Sequence, residues 1–301
     1  MFNIENYLDS LPEDTKEINV SDKSIQNLDV TRFKNLKKLS CNNNQLTSLQ
    51  LNENLKILSC NNNRLTSLQL NKNLEILHCS CNQLTSLHLN EKLKELYCGN
   101  NHLTSLHLNK KLKILYCGYN QLTSLHLNEN LKILYCVNNQ LTSLQLNKNL
   151  EILYCWYNRL TSLHLNEKLE KLYCFNNKLS SLHLNKKLKV MCCYGNQLSS
   201  LHLNKKLETI VYYDNPIYEI INSDIKHGIN KIKQKIQKIK QKIQILNDFR
   251  YLYYCLKFKK RFREILWVKI REPKIREKYS HDYLVKHLHE DTDLDELLEN
   301  W

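Results

Sequence analysis

Apolar residues recur along this chain with a period of nineteen. The stretch from Leu112 to Asn130, LKILYCGYNQLTSLHLNEN, reappears almost letter for letter when it is shifted by one period in either direction. Its skeleton is L-x-x-L-x-C-x-x-N-x-L-x-x-L-x-L-N. Such a period is typical of a solenoid, in which each unit buries its apolar edge only against its neighbours. The pattern therefore predicts about 11 stacked repeats over residues 15–221.

Cysteine and asparagine mark the period. The cysteines that lie one period apart are Cys41, Cys60, Cys79, Cys98, Cys117, Cys136, Cys155, Cys174 and Cys193. The asparagines three places later are Asn44, Asn63, Asn82, Asn101, Asn120, Asn139, Asn158, Asn177, Asn196 and Asn215. A free thiol packs as a small hydrophobe, and an asparagine amide can bond backbone groups that a turn leaves unpaired. We therefore expect a core ladder of thiols beside a turn ladder of amides.

Each repeat contains two alternating segments. Leu115 and Cys117 alternate as in a short strand with both side chains inward. Leu125 and Leu127 are expected to point inward again and His126 outward. Because so short a repeat leaves no room for a full helix on that second side, we predict extended or 3-10 structure there.

Residues 1–35 are expected to contain an N-terminal cap followed by the first repeat of the solenoid. A short helix, Ile4 to Leu11 within residues 1–14, would cover the first open edge, since terminal repeats need a polar cap. A degenerate repeat follows, with Lys23 in place of the ladder asparagine. Its apolar positions are Ile18, Val20, Ile25, Leu28 and Val30.

The composition changes after Pro216, where a basic region, residues 222–301, is predicted to be α-helical. Seven apolar residues form a strict heptad seam: Ile225, Ile229, Ile232, Ile236, Ile239, Ile243 and Leu246. The lysines between them include Lys231, Lys233, Lys235, Lys238, Lys240 and Lys242. Three interpretations stay open: a coiled coil, a basic amphipathic helix on anionic lipid or nucleic acid, or a C-terminal cap packed on the last repeat.

The run L-x-x-L-x-C-x-x-N-x-L resembles the leucine-rich repeat, over about two thirds of the chain. The resemblance implies an α/β repeat fold: a curved solenoid, or horseshoe, with a parallel sheet on its concave face. Leucine-rich repeats usually bind another macromolecule.

The end of the chain carries a second resemblance, to a C-terminal segment of giant-virus (mimivirus-type) proteins. The matching residues are Trp267, Arg271-Glu272-Pro273, Lys278-Tyr279, Asp293-Leu294-Asp295 and Trp301. In that segment a proline usually follows the tyrosine, whereas this chain has Ser280 and His281. Giant viruses also carry many leucine-rich-repeat proteins, so the resemblance implies a viral or host protein as partner.

In the implied geometry, side chains next to the inward Leu and Cys point out of the concave sheet. The later repeats place aromatic residues there: Tyr97, Tyr116, Tyr135, Tyr154 and Tyr173 between Leu and Cys, and Trp156, Phe175, Tyr194 and Tyr213 just after Cys. Aromatic residues with a polar tip are enriched at interface hot spots. The alternative is that the rings only stabilise neighbouring strands.

Metal binding and catalysis have little support in the sequence. A histidine ladder (His88, His107, His126, His164, His183 and His202) has no carboxylates behind it and is interrupted by Gln145. The ladder cysteines lack the C-x-x-C spacing of zinc sites. Cys255, outside the repeats, has no adjacent acid to activate it. We therefore expect no cofactor, no metal, no small-molecule substrate and no enzyme activity.

Charge and the N-terminal residues bear on partner and compartment. The net charge is +14, of which residues 222–290 carry +12 and residues 291–301 carry −5. The N-terminal sequence has no signal-peptide pattern, and unpaired thiols favour a reducing, intracellular compartment, namely the host cytoplasm if the protein is viral. The sequence thus predicts a non-catalytic module that binds a protein through the concave aromatic residues. The alternative is an anionic-surface binder (nucleic acid or acidic membrane) that uses the lysine-rich helix.

Overall fold

The computed structural model describes residues 2–218, and the predicted C-terminal region, residues 222–301, lies outside the described residues. One helix, α1 (Ile4–Asp9), precedes 11 three-residue strands. The strands are β1 (Glu17–Asn19), β2 (Lys38–Ser40), β3 (Ile57–Ser59), β4 (Ile76–His78), β5 (Glu95–Tyr97), β6 (Ile114–Tyr116), β7 (Ile133–Tyr135), β8 (Ile152–Tyr154), β9 (Lys171–Tyr173), β10 (Val190–Cys192) and β11 (Thr209–Val211).

The strands form one parallel sheet in sequence order, so each coil of the solenoid pairs only with the coils before and after it. The register follows the sequence period: Leu115 lies opposite Leu96 on one side and Leu134 on the other. Backbone pairing continues one residue past the strand, where the Cys117 N–H donates to the Tyr135 carbonyl at 2.8 Å. The predicted parallel β-solenoid is therefore confirmed.

The core is a set of stacked leucines and thiols. Leu112, Leu115, Cys117 and Leu122 are all 0% exposed, and the same positions are buried in the neighbouring coils. The apolar residues of the degenerate first repeat, including Ile18 and Val20, are buried as well. Each coil thus buries its apolar edge against two copies of itself, as the period predicts.

The start of the solenoid is covered by α1. Asn3 caps this helix, because its side chain accepts a hydrogen bond from the Asn6 N–H at 3.1 Å. Leu8 is buried, and Ile4, Tyr7 and Leu11 pack against the core. The apolar face of the helix therefore shields the first coil from water. The helix ends at Asp9, short of the predicted end at Leu11.

The ladder asparagines hold the turn that follows each strand. The Asn120 side-chain amide donates to the carbonyls of Cys98 and Cys117, both at 3.1 Å, and its Oδ1 accepts the Leu103 N–H at 3.0 Å. The residue is only 9% exposed. One side chain therefore supplies hydrogen-bond partners to buried backbone groups of two successive coils. Without it, these N–H and C=O groups would have no partner.

A second asparagine ladder, which the sequence pattern did not predict, lies at the other end of the coil. Asn128 donates to the carbonyls of Asn109 at 2.6 Å and Leu112 at 3.1 Å, while its Oδ1 accepts the Asn130 N–H at 2.8 Å. Between the two ladders the convex segment has irregular backbone, apart from one bridge between His183 and His202. Over residues 2–218 the convex side contains no 3-10 helix.

Replacing a ladder asparagine should cost far more stability than replacing its exposed neighbour. We expect Asn120→Ala to lower the free energy of unfolding by about 3 kcal/mol, because it strands several buried backbone groups. Gln121→Ala should change it by less than about 0.5 kcal/mol, because Gln121 is exposed. Urea denaturation followed by circular dichroism measures both. Equal losses in the two variants would contradict the role assigned to Asn120.

Candidate interaction surface on the concave sheet

The outward side of the sheet carries the aromatic residues that the sequence places there. In each strand the middle residue points into the core and its two neighbours are less buried, as in β6, where Leu115 is buried between the partly exposed Ile114 and Tyr116. Because the strands are parallel and in register, equivalent side chains of successive coils lie side by side. The outward residues therefore form continuous ladders along the solenoid.

The first ladder consists of five tyrosines, one from each of β5 to β9. Successive ring centroids are 4.7, 5.3, 5.3 and 4.6 Å apart from Tyr97 to Tyr173. The ring of His78 continues the row toward the N-terminus, 4.4 Å from Tyr97. Toward the C-terminus the row ends at Cys192 and Val211, which occupy the same strand position.

The second ladder begins at Trp156 and runs beside the first. Trp156, Phe175, Tyr194 and Tyr213 are stacked with centroids 4.8, 4.4 and 4.4 Å apart and interplanar angles of 10 to 13°. Trp156 also meets Tyr135 and Tyr154 edge-on, at 5.2 and 5.6 Å. The two ladders are thus joined into one surface, the concave aromatic face, formed by the nine residues of the two rows.

Stacking decides what this face presents to a partner. Most successive rings are stacked, with the exception of Tyr135 and Tyr154, which are tilted by 40°, and all nine side chains are partly buried. Burial raises the pKa of Tyr135 and Tyr154, and that of Tyr194 to about 12. All three hydroxyls are therefore protonated near neutral pH, and a protonated phenol can donate a hydrogen bond.

Gly118 makes room for two side chains of the next coil. A Cβ on Gly118 would lie 2.7 Å from Val137 Cγ2 and 3.1 Å from a ring carbon of Tyr135. Only glycine leaves space for these two side chains to lean over the backbone. Gly99 holds the same position one coil earlier, so these two coils carry a first-ladder tyrosine but no second-ladder ring.

The first coils are polar at the same positions, and their side chains bond to each other. Asn42 Oδ1 accepts hydrogen bonds from Ser59 Oγ and from the Asn61 N–H, both at 2.8 Å. Asn61 Oδ1 accepts the Ser80 N–H at 2.8 Å. In this part of the surface the polar groups are therefore already paired with each other, whereas the aromatic part presents apolar ring atoms.

Sequence reasoning missed two features of this side. The residue before each inward leucine adds a third outward ladder, half-buried at Ile57, Ile76, Ile114, Ile133 and Ile152. Tyr119 and Tyr157, 46% and 53% exposed, are the most exposed aromatic residues among those described. Both lie two places after the ladder cysteine. The repeat period is therefore enough to predict where they lie in the coil, but it does not predict their backbone conformation.

The backbone at Tyr119 and Tyr157 is in the left-handed region, with φ of 56° and 50°. The same position in other coils is held by residues that tolerate this conformation, such as Asn100, Asn138 and Gly195. A tyrosine there is strained. The strain places two exposed rings at the rim of the concave aromatic face.

The remaining candidate groups do not assemble a reactive centre in the described part of the chain. The ladder histidines are exposed, and residues 2–218 contain no group of three or more His, Cys, Asp or Glu side chains placed to hold a metal ion. Burial raises the pKa of Cys117 to about 12, which keeps its thiol protonated and unreactive. Cys255 and Lys231 to Lys242 lie outside the described residues. No helix within residues 2–218 has the length and apolar character needed to cross a membrane.

Relieving the strain at Tyr119 should stabilise the fold. We expect Tyr119→Asn to raise the free energy of unfolding by about 1 kcal/mol, because asparagine occupies the left-handed region at low cost. The reverse change one coil later, Asn138→Tyr, should lower it by a similar amount. Urea denaturation compares the two, and a destabilised Tyr119→Asn variant would show that contacts of the ring outweigh the strain.

Thiol accessibility should separate the ladder cysteines from the rest. Cys81 is exposed and Cys192 is partly exposed, whereas the nine ladder thiols are buried. Iodoacetamide at about pH 8 should label Cys81 within minutes, Cys192 more slowly because burial raises its pKa to about 11, and the ladder only after denaturation. Peptide mass mapping reads each site. Early labelling of Cys117 in the folded protein would contradict the buried ladder.

Comparisons with known proteins agree with this geometry. No protein-family model and no curated protein sequence matches the chain. Among solved structures, the functional domain of InlJ from Listeria monocytogenes, which includes a cysteine ladder, is 28% identical with a TM-score of 0.61 and covers 66% of this chain. YopM from Yersinia pestis, a leucine-rich effector protein, is 29% identical with a TM-score of 0.59 over 66% of the chain.

A third similar chain comes from an octameric complex of Latrophilin 3, Unc5D and FLRT2, in which FLRT2 contributes a leucine-rich repeat. It is 19% identical, with a TM-score of 0.58, and covers 74% of this chain and 83% of its own length. At this identity the likeness concerns the fold alone. This chain spans 54% of the InlJ chain and 66% of the YopM chain. The described residues form the same kind of parallel β-solenoid as these leucine-rich-repeat structures.

Proposed function

We propose that this protein is a non-catalytic interaction module that binds a protein partner through the concave aromatic face. The observation that carries the proposal is the contiguous double row of rings from Tyr97 to Tyr213, whose side chains all remain partly exposed on the outward side of the sheet. Proteins that resemble this chain in fold include a component of a multi-protein complex. Tryptophan and tyrosine are enriched among the few residues that carry most of the binding energy at protein interfaces.

The stacked arrangement favours a polypeptide over a nucleobase or a sugar ring. Binding a base by stacking requires an open ring face, but Tyr116 is stacked on Tyr135 and Tyr154 on Tyr173, and the two pairs meet at a tilt of 40° with ring centroids 5.3 Å apart. What remains exposed is a row of apolar edges beside hydroxyl donors. That combination matches a peptide surface, in which apolar side chains alternate with backbone carbonyl acceptors.

Packing between the rings also lowers the cost of binding. A tyrosine side chain that is already held by its neighbours loses little rotamer freedom when a partner docks. Tyr154 meets Tyr135, Trp156 and Tyr173 within 5.6 Å. The contacts that stabilise adjacent strands therefore also preorganise the surface, so the stabilising and binding roles of the ladder do not compete.

The rest of the proposal comes from the sequence. The solenoid, residues 15–221, would present the surface, with residues 1–14 and 222–301 as its flanking regions. The giant-virus likeness of the last residues, from Trp267 to Trp301, would make the partner a viral or host protein met inside the host cytoplasm.

Charge placed on the concave aromatic face should abolish partner binding. In the triple variant Tyr135→Lys, Tyr154→Lys, Trp156→Lys, each ammonium would need desolvation at the centre of the interface. Affinity capture with the immobilised full-length protein identifies a bound protein, and titration calorimetry then measures its Kd. We expect the triple variant to bind it at least about 100-fold more weakly than the original protein, a loss of about 2.7 kcal/mol.

The matched control adds the same three charges to the opposite edge, as His107→Lys, His126→Lys and His164→Lys. It should leave the Kd unchanged, since these exposed histidines lie away from the sheet. A second variant, Tyr135→Phe with Tyr154→Phe, keeps the stacked rings but removes two hydroxyls, and should weaken binding about tenfold. Full binding by the folded triple variant would refute the concave site, and equal loss in the histidine control would show that added charge alone is responsible.

A further inference from the structure

Charged residues at the start of each coil follow their own pattern. The residue after each asparagine of the second ladder alternates in sign over eight coils: Glu53, Lys72, Glu91, Lys110, Glu129, Lys148, Glu167 and Lys186. Equivalent residues of adjacent coils are about 4.8 Å apart, so alternation places opposite charges side by side. One such pair, Lys148 and Glu129, closes to 3.4 Å. Charge on this edge is therefore balanced coil by coil.

The alternation ends at the last full coil. One coil after Lys186 the alternation predicts a glutamate, but the residue is Lys205. At the next position of the repeat, Lys187 is likewise followed one coil later by Lys206. All four side chains are exposed. Like charges at this spacing repel each other. Within residues 2–218 none of the four forms an ion pair within 4 Å: the nearby Glu170 bonds Lys189 at 2.7 Å and attracts Lys187 only at longer range. We call Lys186, Lys187, Lys205 and Lys206 the lysine patch.

The surroundings of the lysine patch extend its positive charge. From residue 171 to residue 207 the chain contains seven lysines and no acidic residue. The residues that follow the solenoid, 222–290, add a net charge of +12. Positive charge therefore increases toward the C-terminal part of the sequence, while the earlier coils stay close to neutral along the same edge.

We infer that the lysine patch binds the phosphate backbone of a nucleic acid. Exposed, unpaired ammonium groups in a row neutralise successive phosphates and release the counterions condensed on them, without reading the sequence of bases. The site differs from the concave aromatic face in position and in chemistry. Its four residues are also different ones from Lys231 to Lys242, which lie outside the described residues.

The structure favours nucleic acid over an acidic membrane. A surface that lies on lipid combines basic residues with exposed apolar side chains that enter the bilayer interface. The large exposed hydrophobic residues of the described chain are Phe2, Tyr119 and Tyr157, and none of them belongs to the two coils of the lysine patch.

A double substitution at Lys205 and Lys206 restores the alternation of charge and tests the inference. Lys205→Glu with Lys206→Asn turns the sequence NKKL of this coil into NENL, which the chain already uses at residues 128–131. The control, Lys110→Glu with Lys111→Asn, makes the same change at residues 109–112, where glutamates occupy the neighbouring coils. Both variants change the net charge equally and keep a sequence that the fold accepts. Fluorescence anisotropy with a labelled DNA duplex of about 20 base pairs measures the affinity of each full-length protein.

At about 50 mM salt we expect the patch variant to bind the duplex about tenfold more weakly than the original protein, and the control less than about twofold. The slope of log K against log salt should fall by about two for the patch variant, one for each lost phosphate contact. Equal losses in both variants, or none in the patch variant, would overturn the inference. So would selective loss of binding to phosphatidylserine vesicles, with DNA binding intact, because it would identify a membrane site. Circular dichroism checks that both variants fold. Neither result of the DNA-binding experiment bears on protein binding at the concave aromatic face.

Discussion

The structure depends on the need to satisfy backbone hydrogen bonds at each corner of a very short coil. A unit of this length has no helix in which its convex backbone could pair internally. Its two corners are instead closed by asparagine side chains, represented by Asn120 and Asn128, whose amides bond carbonyls of neighbouring coils. Each corner therefore has its hydrogen-bond partners only when another coil is stacked beside it, and this couples neighbouring repeats in addition to the leucine core.

Stacking of near-identical coils converts every position of the repeat into a ladder. At inward positions the result is a core of leucines and thiols, where substitution opens a cavity or strands a polar group. At outward positions the side chains are free to change from coil to coil, and there the chain departs from uniformity: serine gives way to tyrosine from β5, tryptophan appears at residue 156, and glutamate is replaced by Lys205. The differences between repeats, more than the repeat itself, carry the information about binding.

Much of the fold was predictable because period and burial are coupled. The spacing of Cys117 and its equivalents fixes the register, and the alternation of Leu115 and Cys117 fixes which side faces inward. Asn128 was not assigned a role, because a surface asparagine and one that closes a turn look alike in a sequence. The left-handed backbone at Tyr119 was also missed, since tyrosine gives no local signal for that conformation.

For the candidate site, the sequence predicted which residues share the outward side, but not how their rings meet. Whether two tyrosines one coil apart stack or splay depends on the space beside them, and here Gly118 allows the side chains of Tyr135 and Val137 to lean toward the preceding coil. Splayed rings would have exposed π faces suited to bases or sugars. Stacked rings would instead suit the proposed protein partner, whereas the proposed phosphate site, the lysine patch, uses other side chains on another edge of the coil. Substitutions can therefore test the two proposals separately.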